Sequence, residues 1–381
     1  VKEYTSRETF NQIKKSHLSK YYQGKMDLWY FFVCYGLDIL KTDGLLGYIV
    51  PNNWVTNAGA SILRNKVLAD STIKNIVDFG AYMVFTNANI QTMVLILEKQ
   101  RQESYLFDYR KIEMQSPTFE FAYKILESKK ELGLKYLKPL IKPNEFMDKF
   151  LVFANNETES LLNKIQERQN FFLDEKKEVA QGIVPNPDVV SSKNIKKLPS
   201  KRIESENIKI KNGVFIVDKG TFKKLSTSEK KYIKPVYEPY LIKKYFIDEN
   251  DKEIIYITKK NYKNDCPTLI KHLAKYKEIM EERRENQQGK LSFYHLHWAR
   301  DEYFFEQGAK ILSVRKCSTP TFSYTENEAY VMMSFNVIKS NRIEQKYLTA
   351  LLNSKLVAFW LRHKGKMQGN NFQVDKEPIL D

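Results

Sequence analysis

Residues 27–54 read DLWYFFVCYGLDILKTDGLLGYIVPNNW, and this stretch decides the fold of the first part of the chain. Leu28, Phe31, Phe32, Tyr35, Ile39 and Leu40 recur at helical spacing, with Asp27 placed to cap the N-terminus. Thr42-Asp43-Gly44 ends that helix. Leu45 to Val50 is then almost wholly apolar, the pattern of a buried strand, and Pro51-Asn52-Asn53 stops it because proline cannot donate to a central ladder. Working outward, Ala58 to Ala69 is periodic like a second amphipathic helix. Ile73 to Phe79 and Thr92 to Lys99 are β-branched and Leu-rich, as strands are. Helix, strand, helix, strand, strand predicts the tail half of an α/β sheet with layers on both faces, over residues 1–110.

The texture changes after Arg101. A strand-like Tyr105 to Arg110 and a helix-like Phe119 to Ser128 lead to Pro139 and Pro143, so residues 111–140 are expected to form a linker or hinge. Beyond it the pattern is α+β over residues 141–381. A helix is expected from Asn156 to Arg168, a loop at Gln181 to Pro187, and a long helix from Thr268 to Gln287. Short strands are expected around Lys310 to Val314 and Tyr330 to Ile338. A final helix from Glu344 to Leu361 would bury Tyr347, Leu348, Leu351, Leu352, Leu356 and Phe359.

Composition bounds the rest. The 381 residues are 42% hydrophobic and 13% aromatic, enough for packed cores and too much for a disordered chain. A net charge of +16 favours a polyanionic partner, because cations that meet phosphate release its counterions. Residues 190–235 concentrate that charge, with 13 Lys/Arg against 4 Asp/Glu. The joint richness in Lys, Asn, Ile and Tyr is also what AT-biased codons produce. Cys34, Cys266 and Cys317 are isolated, giving no disulfide framework, and no apolar run approaches a membrane span, so a reducing cytoplasm is the expected setting. The first residue is Val1 rather than Met, which fits tag removal or a piece of something longer.

Common catalytic signatures are missing. There is no GxG dinucleotide fingerprint and no GxxxxGK[ST] phosphate loop. His295 and His297 would share one side of a strand but lack a third ligand at usual metal spacing. The preferred reading is two polar groups on an exposed or DNA-facing strand beside Trp298 and Arg300, with no metal. Asp188 with Glu229 and Lys231 could be drawn as a nuclease site, but Glu-x-Lys arises often by chance in a Lys-rich chain.

Four segments then fall in a telling order: Gly24 to Phe32, Leu40 to Trp54, Ile76-Val77-Asp78-Phe79-Gly80, and Val84 to Lys99. Together they resemble the rear half of the gamma-class N6-adenine DNA methyltransferases of Type II restriction–modification systems, the Taq-like and Type IIG enzymes. Gln181-Gly182-Ile183, the Pro267 to Arg284 segment, Lys310-Ile311-Leu312 and Leu352 to Leu356 resemble, more loosely, that family's target-recognition domain. The resemblance implies residues 1–110 as the C-terminal part of an S-adenosylmethionine-dependent domain and residues 141–381 as a DNA specificity domain. It implies a flipped adenine whose amine is held by an Asn-Pro-Pro-aromatic loop. That loop and the cofactor's Gly motif are not in this sequence, so the chain is expected to be inactive alone, to bind no S-adenosylmethionine unaided, and to need the missing N-terminal half, from the same parent or a separate subunit.

By resemblance, Phe85 matches the aromatic that stacks on the flipped adenine, and Phe32 matches one that contacts the adenine ring of the cofactor. Asn52 and Asn53 are read as turn formers at the ligand-binding end of the sheet. Duplex DNA is the expected partner. Lys193, Lys196, Lys197, Lys201, Arg202, Lys223 and Lys224 are the candidates for phosphate contact. Arg300, Lys310, Arg315, Lys316, Gln368 and Asn370 are the candidates for base or groove contact. The alternative is a stand-alone specificity subunit, Type I-like or from a split gene, without catalysis; the stretch from Asp27 to Lys99 separates the two, since a pure specificity subunit has no methyltransferase sheet. A basic protein without a DNA role is the third reading.

Overall fold

The computed structural model describes residues 2–88, 90–114, 116–368, 371–375 and 377–380. The chain divides into two compact units, Val1–Asn170 with Arg362–Asn371, and Phe171–Leu361 with Phe372–Asp381. The first is built on a five-stranded sheet. Its helices are α1 (Arg7–Lys14), α2 (Trp29–Ile39), α3 (Ser61–Asp70), α4 (Phe119–Leu126), α5 (Pro143–Phe146) and α6 (Asn156–Glu167). Its strands are β1 (Leu45–Pro51), β2 (Thr72–Asp78), β3 (Thr92–Glu98), β4 (Tyr105–Leu106), β5 (Asp108–Ile112), β6 (Leu134–Leu137) and β7 (Leu140–Ile141).

Sheet order is β1-β3-β2-β5-β6. Strand β3 runs antiparallel to both neighbours, with Tyr48 and Ile76 each opposite Leu95, so β1 and β2 point the same way; β5 is parallel to β2. Helices α2 and α3 cover one face through Tyr30, Phe31, Val33, Leu37, Leu63 and Val67, and α4 covers part of the other through Ala122 and Ile125. Strand β1 lies at the sheet margin, where Leu45 and Ile49 are exposed.

Two expectations change here. The α/β reading holds, but residues 111–140 are not a hinge: β5 ends at Ile112, and β6 pairs with it from Tyr109↔Leu137 to Ile112↔Leu134, so the segment belongs to the sheet. The division between units falls after Asn170. The buried face of α2 is also displaced. Phe32, Tyr35 and Ile39 are exposed, while Tyr30, Val33, Cys34 and Leu37 are buried, because the helix is apolar nearly all round and spacing alone does not choose a side.

The second unit is mixed, with two four-stranded sheets. One is ordered β15-β10-β11-β9, from β9 (Ile216–Asp218), β10 (Ile233–Tyr237), β11 (Lys252–Ile255) and β15 (Tyr330–Val331). The other is β14-β12-β16-β8, from β8 (Val179–Gln181), β12 (Lys310–Val314), β14 (Phe322–Thr325) and β16 (Phe335–Ile338). Strand β13 (Lys316–Cys317) pairs with Phe372 and Gln373. Short helices α7 (Ser200–Ser205) and α8 (Thr227–Lys230) precede the segment expected as one long helix, which is broken into α9 (Pro267–Ala274), α10 (Lys277–Glu281) and α11 (Arg284–Gln287). The second break sits at Arg283, which is extended and turns its guanidinium inward to donate to the carbonyls of Met280, Ser292, Phe293 and His295. The last expected helix is likewise split into α12 (Gln345–Leu352) and α13 (Lys355–Lys364) at Asn353, whose amide bonds both backbone groups of Phe322. Leu348 and Leu352 are buried as expected; Tyr347 and Leu356 are exposed. Among the described residues no helix is long and apolar enough to cross a membrane.

Lys310, expected to face outward, is fully buried at the start of β12. Its ammonium donates to the carbonyls of Glu306, Gly308 and Asn327 at 2.9, 2.9 and 2.6 Å, and burial pulls its pKa down to about 8. It ties two turns together and is a structural residue. Replacing Lys310→Met removes the buried donor that three carbonyls share, and urea denaturation should show the second unit destabilised by about 3 kcal/mol. An unchanged midpoint would contradict that role.

Candidate functional site

Strands β1 and β2 end on the same side of the sheet, and their carboxyl ends are tied by side chains. Asn52, just past β1, donates its amide to Asp78 Oδ1 at 3.1 Å, and its N–H bonds the Gln91 carbonyl. Asp78, buried at the end of β2, also accepts the Gly80 N–H at 3.0 Å. Gly80 turns with φ of +58°, and a Cβ there would lie 2.1 Å from the Ile112 carbonyl oxygen, so only glycine fits. The segment that follows is pinned by Phe79, Tyr82 and Val84 packing toward α4, which leaves Phe85 with 48% of its surface exposed. At that exposure Phe85 is not a core side chain. Phe32 is 59% exposed on α2 and is equally free of the core.

The loop after β1 is rigid. Trp54 is buried, with its indole N–H on Met93 Sδ. Arg64, on α3, is almost wholly buried and donates Nη1 to the Trp54 and Asn57 carbonyls at 2.7 and 2.6 Å and Nε to that of Lys149. Asn57 in turn bonds the Tyr30 hydroxyl, whose pKa burial pushes up to about 12. Asp78, Arg64 and Arg283 are structural supports that sequence reasoning missed. Asp78 lay inside a quoted motif, but nothing local marks a buried arginine that serves main-chain oxygens.

In the second unit the cationic candidates separate. Lys193, Lys196, Lys201, Lys223, Lys224 and Lys316 are exposed, and none has an ion pair among the described residues. Arg202 is committed to Glu278, with Nη1 2.5 Å from both carboxylate oxygens, and Lys197 is paired with Glu282. Arg315 is held by the Met333 carbonyl and Asp375. Each of these three satisfies its charge inside the unit. Arg300 is exposed, with φ of +64°; its Nε donates to the Gly182 carbonyl and its guanidinium lies 5.5 Å from the Trp298 ring. Trp298 is half exposed and stacks on His297, which bonds Glu285. His295 is not on an exposed strand as expected: it is buried in a loop, where desolvation lowers its pKa to about 4. Glu229 is buried in the capping box of α8, which removes it from any nuclease site. The Gln368 side chain and Asn370 lie outside the described residues.

The first unit presents an exposed aromatic on a strand-end loop, and the second presents exposed lysines without an ion pair among the described residues. Comparison with known proteins adds a family to each. Residues 1–85 match the family model described as Eco57I restriction-modification methylase, and residues 234–377 match that of the TaqI-like C-terminal specificity domain. Residues 1–85 are thus similar to an Eco57I-type methylase segment and residues 234–377 to a TaqI-like specificity domain. The Type II restriction enzyme and methyltransferase RM.Eco57I of Escherichia coli is 28% identical over 112 residues, 27% of this chain and 11% of that protein. The Type IIL restriction-modification enzyme MmeI, solved in complex with DNA, shares the fold with a TM-score of 0.55 at 9% identity, over 92% of this chain and 40% of its own. The type IIG restriction endonuclease BpuSI aligns with a TM-score of 0.35 at 11% identity, over 94% of this chain and 42% of its own. The chain thus spans about a tenth of the curated relative's length.

The Asp78 fastening makes a checkable demand. Asp78→Ala frees Asn52 and the Gly80 turn together, and should cost about 1–3 kcal/mol while speeding amide exchange at Gly80. Unaltered exchange there would show that the loop does not depend on this carboxylate.

Proposed function

We propose that this chain is the DNA-gripping portion of a site-specific adenine-N6 methyltransferase, acting in the intact enzyme on a flipped adenine in duplex DNA. The observation that carries the reading is the joining, in one polypeptide, of a methylase segment to a TaqI-like specificity domain. The exposed ring of Phe85 supports it, since a base drawn out of the stack needs an aromatic or apolar face to replace its lost neighbours. Phe85 stacks on the base; Asn52, Asp78 and Gly80 hold the loop that presents it. Phe32 fits one wall of a purine slot for S-adenosylmethionine, which supplies the methyl group when bound. The chemistry for that donor's ribose and amino-acid ends is left to the remainder of the enzyme.

The margin of the sheet supports the same reading. Strand β1 is paired only by β3 among the described residues, and Leu45, Ile49, Phe32 and Ile39 lie exposed on or beside it. A further strand from the rest of the methylase sheet, in the same polypeptide or a separate subunit, would satisfy that edge and cover the apolar surface. The five-stranded sheet favours this over a pure specificity subunit.

In the specificity unit Lys193, Lys196, Lys201, Lys223 and Lys224 are the phosphate candidates that remain, with Arg300 and Lys316 the candidates for base or groove contact. Binding to duplex should weaken steeply between low and moderate salt. Lys223→Gln with Lys224→Gln should reduce the slope of log affinity against log salt by up to about 2, whereas Arg202→Gln should leave the slope alone. An affinity indifferent to salt would sink the reading. In the intact enzyme, Phe85→Ala should lower methylation with little loss of duplex binding; full activity would remove the stacking role.

A further inference from the structure

The first unit holds a cavity that none of these roles uses. It has a volume of about 570 Å³ and lies between α1, the turn through Lys25 and the loop after β1. Four cations line it, Lys2, Arg7, Lys14 and Lys25, against two carboxylates, Glu3 and Asp27. Their charges are not equally available. Lys14 faces Glu3 at 3.6 Å and lies over the Tyr22 ring, so that pair is internally balanced. Lys2, Arg7 and Lys25 are exposed and have no carboxylate partner among the described residues. Uncompensated cations crowded into a concave wall raise the local concentration of anions.

The walls are preformed. The Glu3 carboxylate accepts the Lys25 N–H at 2.7 Å, and the Glu3 N–H bonds the Met26 carbonyl. Gln23 is fastened to the start of α3 through Ser61 and Ile62 and donates to the Ala58 carbonyl. Lys25 itself holds a φ of +53°, with its carbonyl pressed so close to Gly59 that a Cβ there would stand 2.2 Å away. Asn53 reaches the cavity from the loop after β1, the loop whose neighbouring residue Asn52 is tied to Asp78. Of the two asparagines read as turn formers, Asn52 is one, and the Asn53 amide lies on the cavity wall with no side-chain hydrogen bond among the described residues.

We propose that this cavity is a phosphodiester site for a DNA strand, with Lys2, Arg7 and Lys25 as its cationic ligands and Asn53 as a neutral donor. The inference rests on the reading of the chain as DNA-binding. It goes further by placing backbone contact in the methylase unit as well as in the specificity unit. The ligand class follows from the chemistry: an open, polar cleft in which three cations have no ion pair among the described residues and outnumber the remaining carboxylate, Asp27, suits a chain-like anion. Its position beside the strand-end loops suits the strand that bears the target base, because a nucleotide rotated out of the duplex carries its flanking phosphates toward the enzyme. The second cavity of this kind, near Arg342, is different, since there Arg342 is spent on Glu178 and on the Phe171 ring.

The test uses the full chain and a duplex oligonucleotide in a potassium chloride series. Arg7→Gln with Lys25→Gln should bind about tenfold more weakly near 100 mM salt, with the salt slope shallower by about 1–2 and the thermal midpoint unchanged. Because Lys25 sits at a positive φ, Lys2→Gln with Arg7→Gln is the second variant and leaves that turn intact; it should move the slope in the same direction. If both pairs bind as the parent chain does while the Lys223 and Lys224 pair weakens binding, the cavity proposal is overturned and the DNA reading stands. If the unaltered chain ignores duplex even at low salt, both fall.

Discussion

One strand pairing organises the first unit: β3 enters between β1 and β2 and runs against both. Because it is antiparallel to each, the two outer strands share a direction and finish on one side, roughly 10 Å apart at normal strand spacing. That gap is what the Asn52–Asp78 hydrogen bond closes. The loop after β1 and the loop after β2 are then two lips of one structure, one stiffened by Arg64, the other by Gly80 and the packing of Val84. Phe79 is buried and Tyr82 and Val84 are partly buried against α4, while Phe85 begins the exposed run through Ala88. Reversing β3 or slipping it by one residue would turn the apolar set of a covered strand outward.

Much of this was legible in the sequence. The order of helix and strand from Asp27 to Lys99 follows from periodicity and punctuation, and the two outermost positions, Phe32 and Phe85, came from resemblance. The face of α2 could not be read, since Phe31 and Phe32 are chemically alike and only the packing partners on β1 and α3 decide between them. The hinge was misplaced because prolines at 139 and 143 look like a boundary, whereas residues 134–137 pair back across α4 with the strand just before it. Neither long helix of the second unit is continuous. Arg283 turns extended and Asn353 closes its helix, and each serves main-chain groups outside it, so helical spacing records nothing of such demands.

Charge was the least legible property. A lysine count places Lys310 among the cations of the surface, and the fold spends it on three carbonyls inside. Arg202, Lys197 and Arg315 are likewise consumed by Glu278, Glu282 and Asp375. What remains free is a smaller set, spread over both units, and only geometry distinguishes it. Net charge of +16 states an attraction; the ion-pair map states where it is available.

Arg283 carries a consequence of its own. Its guanidinium grips oxygens of the peptide backbone at 280, 292, 293 and 295, and those acceptors exist whatever side chains stand at those positions. Neighbouring residues can therefore change identity without loosening the anchor, provided the path of the chain is kept. A surface mounted in this way can diversify while its mounting stays fixed, which is the material condition for one scaffold to acquire many different preferences.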